Sequence, residues 1–354
     1  MAVTMREVAA AAGVSIATVS FVVNNTKPVT PETRQRIERA MAELGFRPNM
    51  IARALASRRT QILALVTPFS RLWLGAVTRE FIIGAARAAK EADHHLVIWP
   101  VGNDGNELVA LVGQKLIDGV LLMSVQLDDA RVDALRSLDV PFTLIGRTRD
   151  VTGLDYVDID IAASMRIAMD HLAELGHRHI AFVNGSRDEE GVAGFGPYVR
   201  SEAAYRELAG ERGISPVVLY CRSEVASGRA AARELLTTAP PTTAVIIEDE
   251  LGAAGVIAEL KRLGRPVPGH ISVLSISSSA DFAELCDPPL TTVTTPGVEL
   301  GRLGVEALLR QLNGEAPSTA VLRTGVLAPG GSTGAVRANA ARPKRAATGG
   351  ARTD

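Results

Sequence analysis

The stretch Met5 to Asn24, MREVAAAAGVSIATVSFVVN, restricts what this chain can fold into more than any other. Val8, Ala9 and Ala12 recur at helical spacing, so its first half predicts a helix whose inner side is apolar and small enough for another helix to approach closely. Gly13 takes a tight turn. Ser15 stands at an N-cap position, and Val19, Val22 and Val23 give a second helix its buried stripe. The opposite side of that helix carries Ile16, Ala17, Thr18, Ser20 and Phe21. Pro31 opens a third helix, Glu32 to Leu44, with Ile37, Ala40, Met41 and Leu44 inward and Gly45 as its stop. Three short helices complete by Phe46 make a headpiece of the helix-turn-helix kind, whose second helix suits the major groove of double-stranded DNA.

Residues 47–60, RPNMIARALASRRT, predict a short helix capped by Asn49 and running to about Ser57, ahead of Arg58 and Arg59. Charge follows the same division. Residues 1–60 hold nine Lys and Arg against four Asp and Glu, residues 337–354 hold five against one, and a whole-chain charge of −1 leaves −10 on residues 61–336. Basic ends suit phosphate, whereas an acidic middle avoids it.

From Ile62 short apolar runs alternate with helical stretches, which predicts βαβ units and parallel sheets covered by helices on both faces. Strands are expected at 62–68, 95–101, 119–125 and 142–147. A second set begins at His179, Val217, Thr243 and Ile271, so the chain divides into two Rossmann-like lobes. With 354 residues, 47% of them hydrophobic, there is ample chain for a headpiece and a large core.

The order VTMREVAAAAGVSIATVSFVVN, then PVTPETRQRI, then GFRPNMIARALAS, resembles the lactose-repressor (LacI) family of bacterial transcription regulators, and the likeness continues to about Gly334. It implies an all-α helix-turn-helix headpiece with a hinge helix, followed by an α/β effector domain of two lobes like the type I periplasmic binding proteins. The implied boundaries are 1–46 for the headpiece, 47–60 for the hinge and linker, and 61–336 for the effector-binding and dimerisation domain. Lobe 1 then takes about 61–158 and 293–323, and lobe 2 about 162–289. Crossovers fall near Val157 to Ile161, Pro289 to Thr294, and Arg323 to Leu327.

By this resemblance Thr4, Met5, Ser15, Thr18, Ser20, Asn24 and Thr30 match positions that hold the DNA backbone, while Ile16, Ala17 and Phe21 match base-reading positions. Asn49, Ala52, Leu55 and Ala56 match the hinge helix, whose leucine wedges into the minor groove at the centre of the operator. Phe21 departs from the arginine common there, and a ring cannot make arginine's bidentate contact to guanine. Partners implied are a palindromic operator, a second copy of the chain in a homodimer, and a sugar-like small molecule between the lobes.

Ligands in open α/β sheets sit beyond the carboxyl ends of strands. At those ends are Trp73, Ser124, Arg147, Asn184, Asp249 and Ser277, with Asp160 at the first crossover and Arg200 before a helix. Asp160, Arg200 and Asp249 match positions that commonly touch effector in the family. Each polar residue also has a structural role open to it: Asp160 as a helix cap, Arg147 as an ion-pair partner. Ser277 stands where the family often has aspartate, which leaves a non-sugar effector, or none, open.

MAVTMREV has neither a basic n-region nor an apolar h-region, and no run of about 18 apolar residues occurs, so a cytoplasmic protein without a membrane partner is expected. Cys221 and Cys286 are isolated and expected to be free thiols. His177 and His179 form an HxH pair at a helix-to-strand turn, with no acidic or Cys partner near it and no metal expected. No nucleophile motif, P-loop or dinucleotide fingerprint occurs, so neither catalysis nor a cofactor is expected. The tail 337–354 lacks leucine heptads and reads as disordered and basic.

Overall fold

The computed structural model describes residues 3–24, 27–46, 59–68, 75–186, 192, 194–239 and 241–336. The hinge residues Asn49, Ala52, Leu55 and Ala56, the loop residue Trp73 and the tail 337–354 lie outside the described residues, as does the side chain of Asn24.

The headpiece holds three helices, α1 Met5–Ala12, α2 Ile16–Asn24 and α3 Pro31–Leu44. Thr4 and Glu7 cap α1 reciprocally: the Thr4 hydroxyl accepts the Glu7 N–H at 3.4 Å, and the Glu7 carboxylate accepts the Thr4 N–H at 2.7 Å. Gly13 ends the helix at φ 63°, a left-handed conformation that lets its N–H reach back to Ala9 and Ala10. The two helices therefore meet at 106°. Val8, Val19 and Ile37 are fully buried at their junction with α3, among Ala9, Ala12, Val22 and Ala40. Burying each of the three larger side chains is worth about 1.5–3 kcal/mol, and a core of seven residues has little to spare.

Beyond the headpiece the strands are β1 Ile62–Thr67, β2 His95–Pro100, β3 Gly119–Leu122, β4 Phe142–Ile145, β5 Asp155–Ile159, β6 Ile180–Gly185, β7 Val217–Cys221, β8 Ala244–Ile247, β9 Ser272–Ser278, β10 Thr291–Thr294, β11 Ala320–Arg323 and β12 Val326–Ala328. The helices are α4 Ala76–Glu91, α5 Asn106–Gly113, α6 Ala130–Ser137, α7 Ile161–Glu174, α8 Gly196–Glu211, α9 Val225–Thr238, α10 Glu250–Arg262, α11 Ala280–Glu284 and α12 Gly297–Leu312. Two six-stranded sheets result, in the orders β11-β5-β4-β3-β1-β2 and β12-β10-β9-β8-β6-β7. Both reverse direction at their first strand, which leaves a crevice at the carboxyl ends of β1 and β3 in one lobe and of β6 and β8 in the other.

Leu63 to Val66 and Ala244 to Ile247 are wholly buried because helices cover both faces of each sheet. In the first lobe α4 and α12 pack backbone to backbone. A Cβ on Gly84 would stand 2.0 Å from the Val298 carbonyl, and one on Gly301 would stand 2.1 Å from that of Phe81. The second lobe repeats the device, with Gly228 against Gly252 and Gly255 against Val225.

All eight expected strands form, and four unexpected ones, β5, β10, β11 and β12, lie at or beside the stretches read as crossovers. Polar composition hid β5 and β10, and shortness hid β11 and β12. Thr291 and Thr292 are fully buried because their hydroxyls are satisfied, Thr292 donating to the Ser275 carbonyl at 3.0 Å and Thr291 bonding Thr333 at 2.9 Å. The chain passes between lobes at Asp160, at Thr295–Pro296, and at residues 324–325. The second passage lies just beyond the expected 289–294, since β10 itself belongs to the second sheet and contains the boundary placed at 293.

Candidate DNA-binding and effector sites

On the headpiece, the Ser15 hydroxyl caps α2 by accepting the Thr18 N–H at 3.1 Å and bonds the Thr18 hydroxyl at 2.8 Å. Thr30 caps α3 in the same way through Thr33. Thr4, Ser15 and Thr30 thus sit at helix N-termini, where backbone N–H groups face outward and favour phosphate. Ile16 and Ala17 are exposed, Ile16 to 44%, while Val19 and Val22 of the same helix face the core. Phe21 is partly buried, and the Lys27 ammonium stands over its ring, 5.0 Å from the centroid. That stack places a cationic donor beside a residue that has no donor of its own.

Between the two sheets lies a cavity of about 210 Å³. Thr67 and Ser124 line it from the ends of β1 and β3, and their hydroxyls bond each other at 3.0 Å. Ile276 and Ser277 come from β9, Glu248 and Asp249 from the turn after β8, and Glu250 from the start of α10. Phe81, Phe195 and Tyr198 supply aromatic walls, Phe195 and Tyr198 meeting edge to face at 4.9 Å.

The three carboxyl groups differ in environment. Asp249 caps α10, accepting the Gly252 N–H at 2.8 Å through one oxygen and the Ser223 hydroxyl through the other. Glu250 accepts the Ala76 N–H of the opposite lobe at 2.7 Å. Glu248 is 93% buried, and burial pushes its carboxyl up to about 7, with the Asp249 charge adding to the rise. The Ser201 hydroxyl is near enough to offset part of this, yet the contact misses hydrogen-bond geometry. Glu248 Oε2 and Ser201 Oγ are both buried without a protein partner.

Outside the cavity the lobes meet through backbone and charge. Leu127 N donates to Gly194 O at 2.9 Å, and Gly196 N to Val125 O at 3.1 Å. Asp158 at the end of β5 sits 3.5 Å from Arg147 and 3.6 Å from Arg200, and Arg200 also donates to the Arg147 carbonyl. Burial raises the Asp158 carboxyl, and the two guanidinium groups offset that only in part.

Residues 4–49 match the lacI family of bacterial regulatory proteins, and residues 169–333 match a periplasmic binding protein-like domain. The chain is 36% identical over 333 residues to the HTH-type transcriptional regulator CelR of Thermobifida fusca, covering 91% of this chain and 96% of CelR. This chain belongs to the LacI family. The HTH-type transcriptional repressor CytR of Escherichia coli K12 is 28% identical over 321 residues, covering 89% of this chain and 91% of CytR. Among solved structures, a CelR–cellobiose complex superposes with TM-score 0.68 at 31% identity, over 93% of this chain and 99% of that one. The lac repressor dimer bound to operator and the anti-inducer ONPF superposes with TM-score 0.81 at 25% identity, over 95% and 100%. This LacI-family protein is a transcriptional regulator with a helix-turn-helix DNA-binding headpiece.

Of the residues expected at the effector site of this LacI-family chain, Ser124, Asp249 and Ser277 line the cavity. The other described ones are not among its lining residues. Asp160 caps α7 through the Ala163 N–H at 3.0 Å, the structural role that its place before a helix left open. Asn184 is fully buried and donates to the Tyr198 carbonyl at 2.9 Å, so it positions a wall residue. Arg147 and Arg200 are engaged with Asp158. Glu248, Ser201 and Tyr198 escaped the sequence reading, although the acidic run after the apolar TAVII marked the place.

The HxH pair is accounted for by His177, whose buried ring bonds the Thr243 and Ser272 hydroxyls at 2.9 and 3.0 Å and the Gly334 carbonyl at 3.0 Å. Neither Cys221 nor Cys286 forms a disulfide. Among the described residues no single helix is long and apolar enough to cross a membrane.

Proposed function

We propose that this protein is a cytoplasmic repressor, not an enzyme, that binds a two-fold operator as a homodimer and changes its affinity when a sugar fills the cleft. The observation that carries this reading is the cleft itself, where hydroxyls, carboxylates and aromatic faces converge between two lobes joined by three passages. Hydroxyls and carboxylates bond the hydroxyls of a sugar, and aromatic faces cover its apolar side. The CelR–cellobiose complex and the operator-bound lac repressor dimer support it by likeness.

In this proposal residues 1–46 form the headpiece, 47–60 the hinge and 61–336 the effector domain, with 337–354 as a basic tail. Thr4, Met5, Ser15, Thr18, Ser20, Asn24 and Thr30 hold phosphates, Ile16, Ala17 and Phe21 face the bases, and Leu55 wedges into a kinked centre. One headpiece covers half a site, so a two-fold dimer matches a palindrome. Selecting sites from random DNA and weighing the complex by sedimentation tests this. Two inverted half-sites bound by two chains are expected, and a monomer with full affinity for a single half-site would refute it.

A further inference from the structure

The acidic run at the cleft is unevenly satisfied. Asp249 and Glu250 are engaged by backbone N–H groups at the starts of α10 and α4. Glu248 has no such donor: its Oε2 and the Ser201 Oγ are both buried and unpartnered, and both residues line the cavity. A buried carboxylate oxygen left unsatisfied is costly, and with the Ser201 hydroxyl, which can donate or accept, it defines what a ligand must supply in the cavity. A neutral sugar hydroxyl can donate to Glu248 and accept from Ser201 but leaves the carboxylate charge uncompensated, whereas a primary ammonium donates up to three hydrogen bonds and neutralises that charge.

The surroundings favour the same charge. Asp249 and Glu250 follow Glu248 in the chain, and Phe81, Phe195 and Tyr198 line the same cavity, where an aromatic ring face attracts a cation placed over it. The Thr67, Ser124 and Ser277 hydroxyls remain for an uncharged polyhydroxylated part.

We infer that the cleft selects a polyhydroxylated amine, an amino sugar in chemical class, with its ammonium held by Glu248 and Ser201. Ligand binding at this cleft is the reading proposed above, on which this selection rests. Glu248 is then a specificity-determining residue that separates amino sugars from neutral sugars.

Isothermal titration of the full-length protein with matched pairs tests it: glucosamine against glucose, galactosamine against galactose, and the β-1,4-linked glucosamine dimer against cellobiose. In the parent, the amine of at least one pair should bind at least about tenfold more tightly than its hydroxyl counterpart, one strong charge-assisted contact being worth about that factor. Glu248→Gln, with thermal melting as the control for folding, should remove the preference, and Ser201→Ala should reduce it. If neutral sugars bind as tightly as their amines, or Glu248→Gln keeps the preference, the inference falls and the sugar reading stands. Binding of neither series overturns both.

Discussion

Glu250, the first residue of α10 in the second lobe, caps a helix of the first lobe: its Oε1 accepts the Ala76 N–H at 2.7 Å. Helix α4 has Gly75 at its N-cap and no capping side chain of its own, so the opposite lobe supplies the carboxylate that its N-terminus favours. Losing a cap typically costs about 0.5–2 kcal/mol. Glu250→Ala should lower the unfolding free energy by about 1 kcal/mol in urea titration. Because the bond spans the lobes, it should also weaken ligand binding. A variant as stable as the parent would show that the cap contributes nothing.

Glu248 gives stability a distinct pH dependence. Its folded pKa is raised to about 7 from an ordinary 4.5, so the folded state binds more protons between these values and stability falls as pH rises through that window. The difference is worth roughly 3 kcal/mol at pH 8 at most. Glu248→Gln should therefore raise the melting temperature of ligand-free protein at pH 8 and leave it nearly unchanged at pH 4.5. Equal shifts at both pH values would contradict the assignment.

His177 acts in the opposite sense. Burial holds its ring below the ordinary 6.5, so on acidification the unfolded chain takes up a proton that the folded ring resists. Stability from this residue is present above about 6.5 and is lost as pH falls toward the lowered folded value. Nuclear magnetic resonance titration of the ring should give a midpoint below the ordinary 6.5. A His177 that titrates at 6.5 or above contradicts the buried hydrogen-bond role.

Phe21 and Lys27 set the expectation for DNA. Lys27→Ala removes the ammonium over the ring and should weaken binding to operator and random DNA alike, lowering the slope of log K against log salt by about 1. Phe21→Arg should add guanine preference at the position it faces, where Ile16, Ala17 and Phe21 offer mainly apolar contact to thymine methyls. Site selection with parent and variant compares them. An unchanged base at that position would mean the helix docks differently.

The headpiece was legible in the sequence because the devices read there are local: Gly13, Ser15 as an N-cap, Pro31 and Gly45 act within four residues of chain, while the Thr4–Glu7 capping box, just as local, went unread. The eight apolar strands were legible for a similar reason, since buried parallel strands need unbroken runs such as LALV and AVII. Strands β5 and β10 were not, because Asp155, Thr291 and Thr292 are buried polar residues whose partners lie far along the chain. Asp155 is satisfied by Ser318 N at 2.7 Å and Gln311 Nε2 at 2.7 Å, contacts that only the tertiary fold creates. The cleft divides likewise. Ser124, Asp249 and Ser277 follow from the strand-end rule, whereas Glu248 with Ser201 pairs residues far apart in the chain within the second lobe, and Asp158 with Arg200 depends on how the two lobes come together.

The most direct measurement is fluorescence anisotropy of a labelled, selected operator titrated with full-length protein at fixed salt, with and without each sugar and amino sugar of the matched pairs. At least one ligand should change operator affinity by about tenfold or more, a coupling of about 1.4 kcal/mol, while affinity for random DNA stays the same. An operator affinity that is identical with every ligand at saturating concentration would contradict a regulator switched through this cleft.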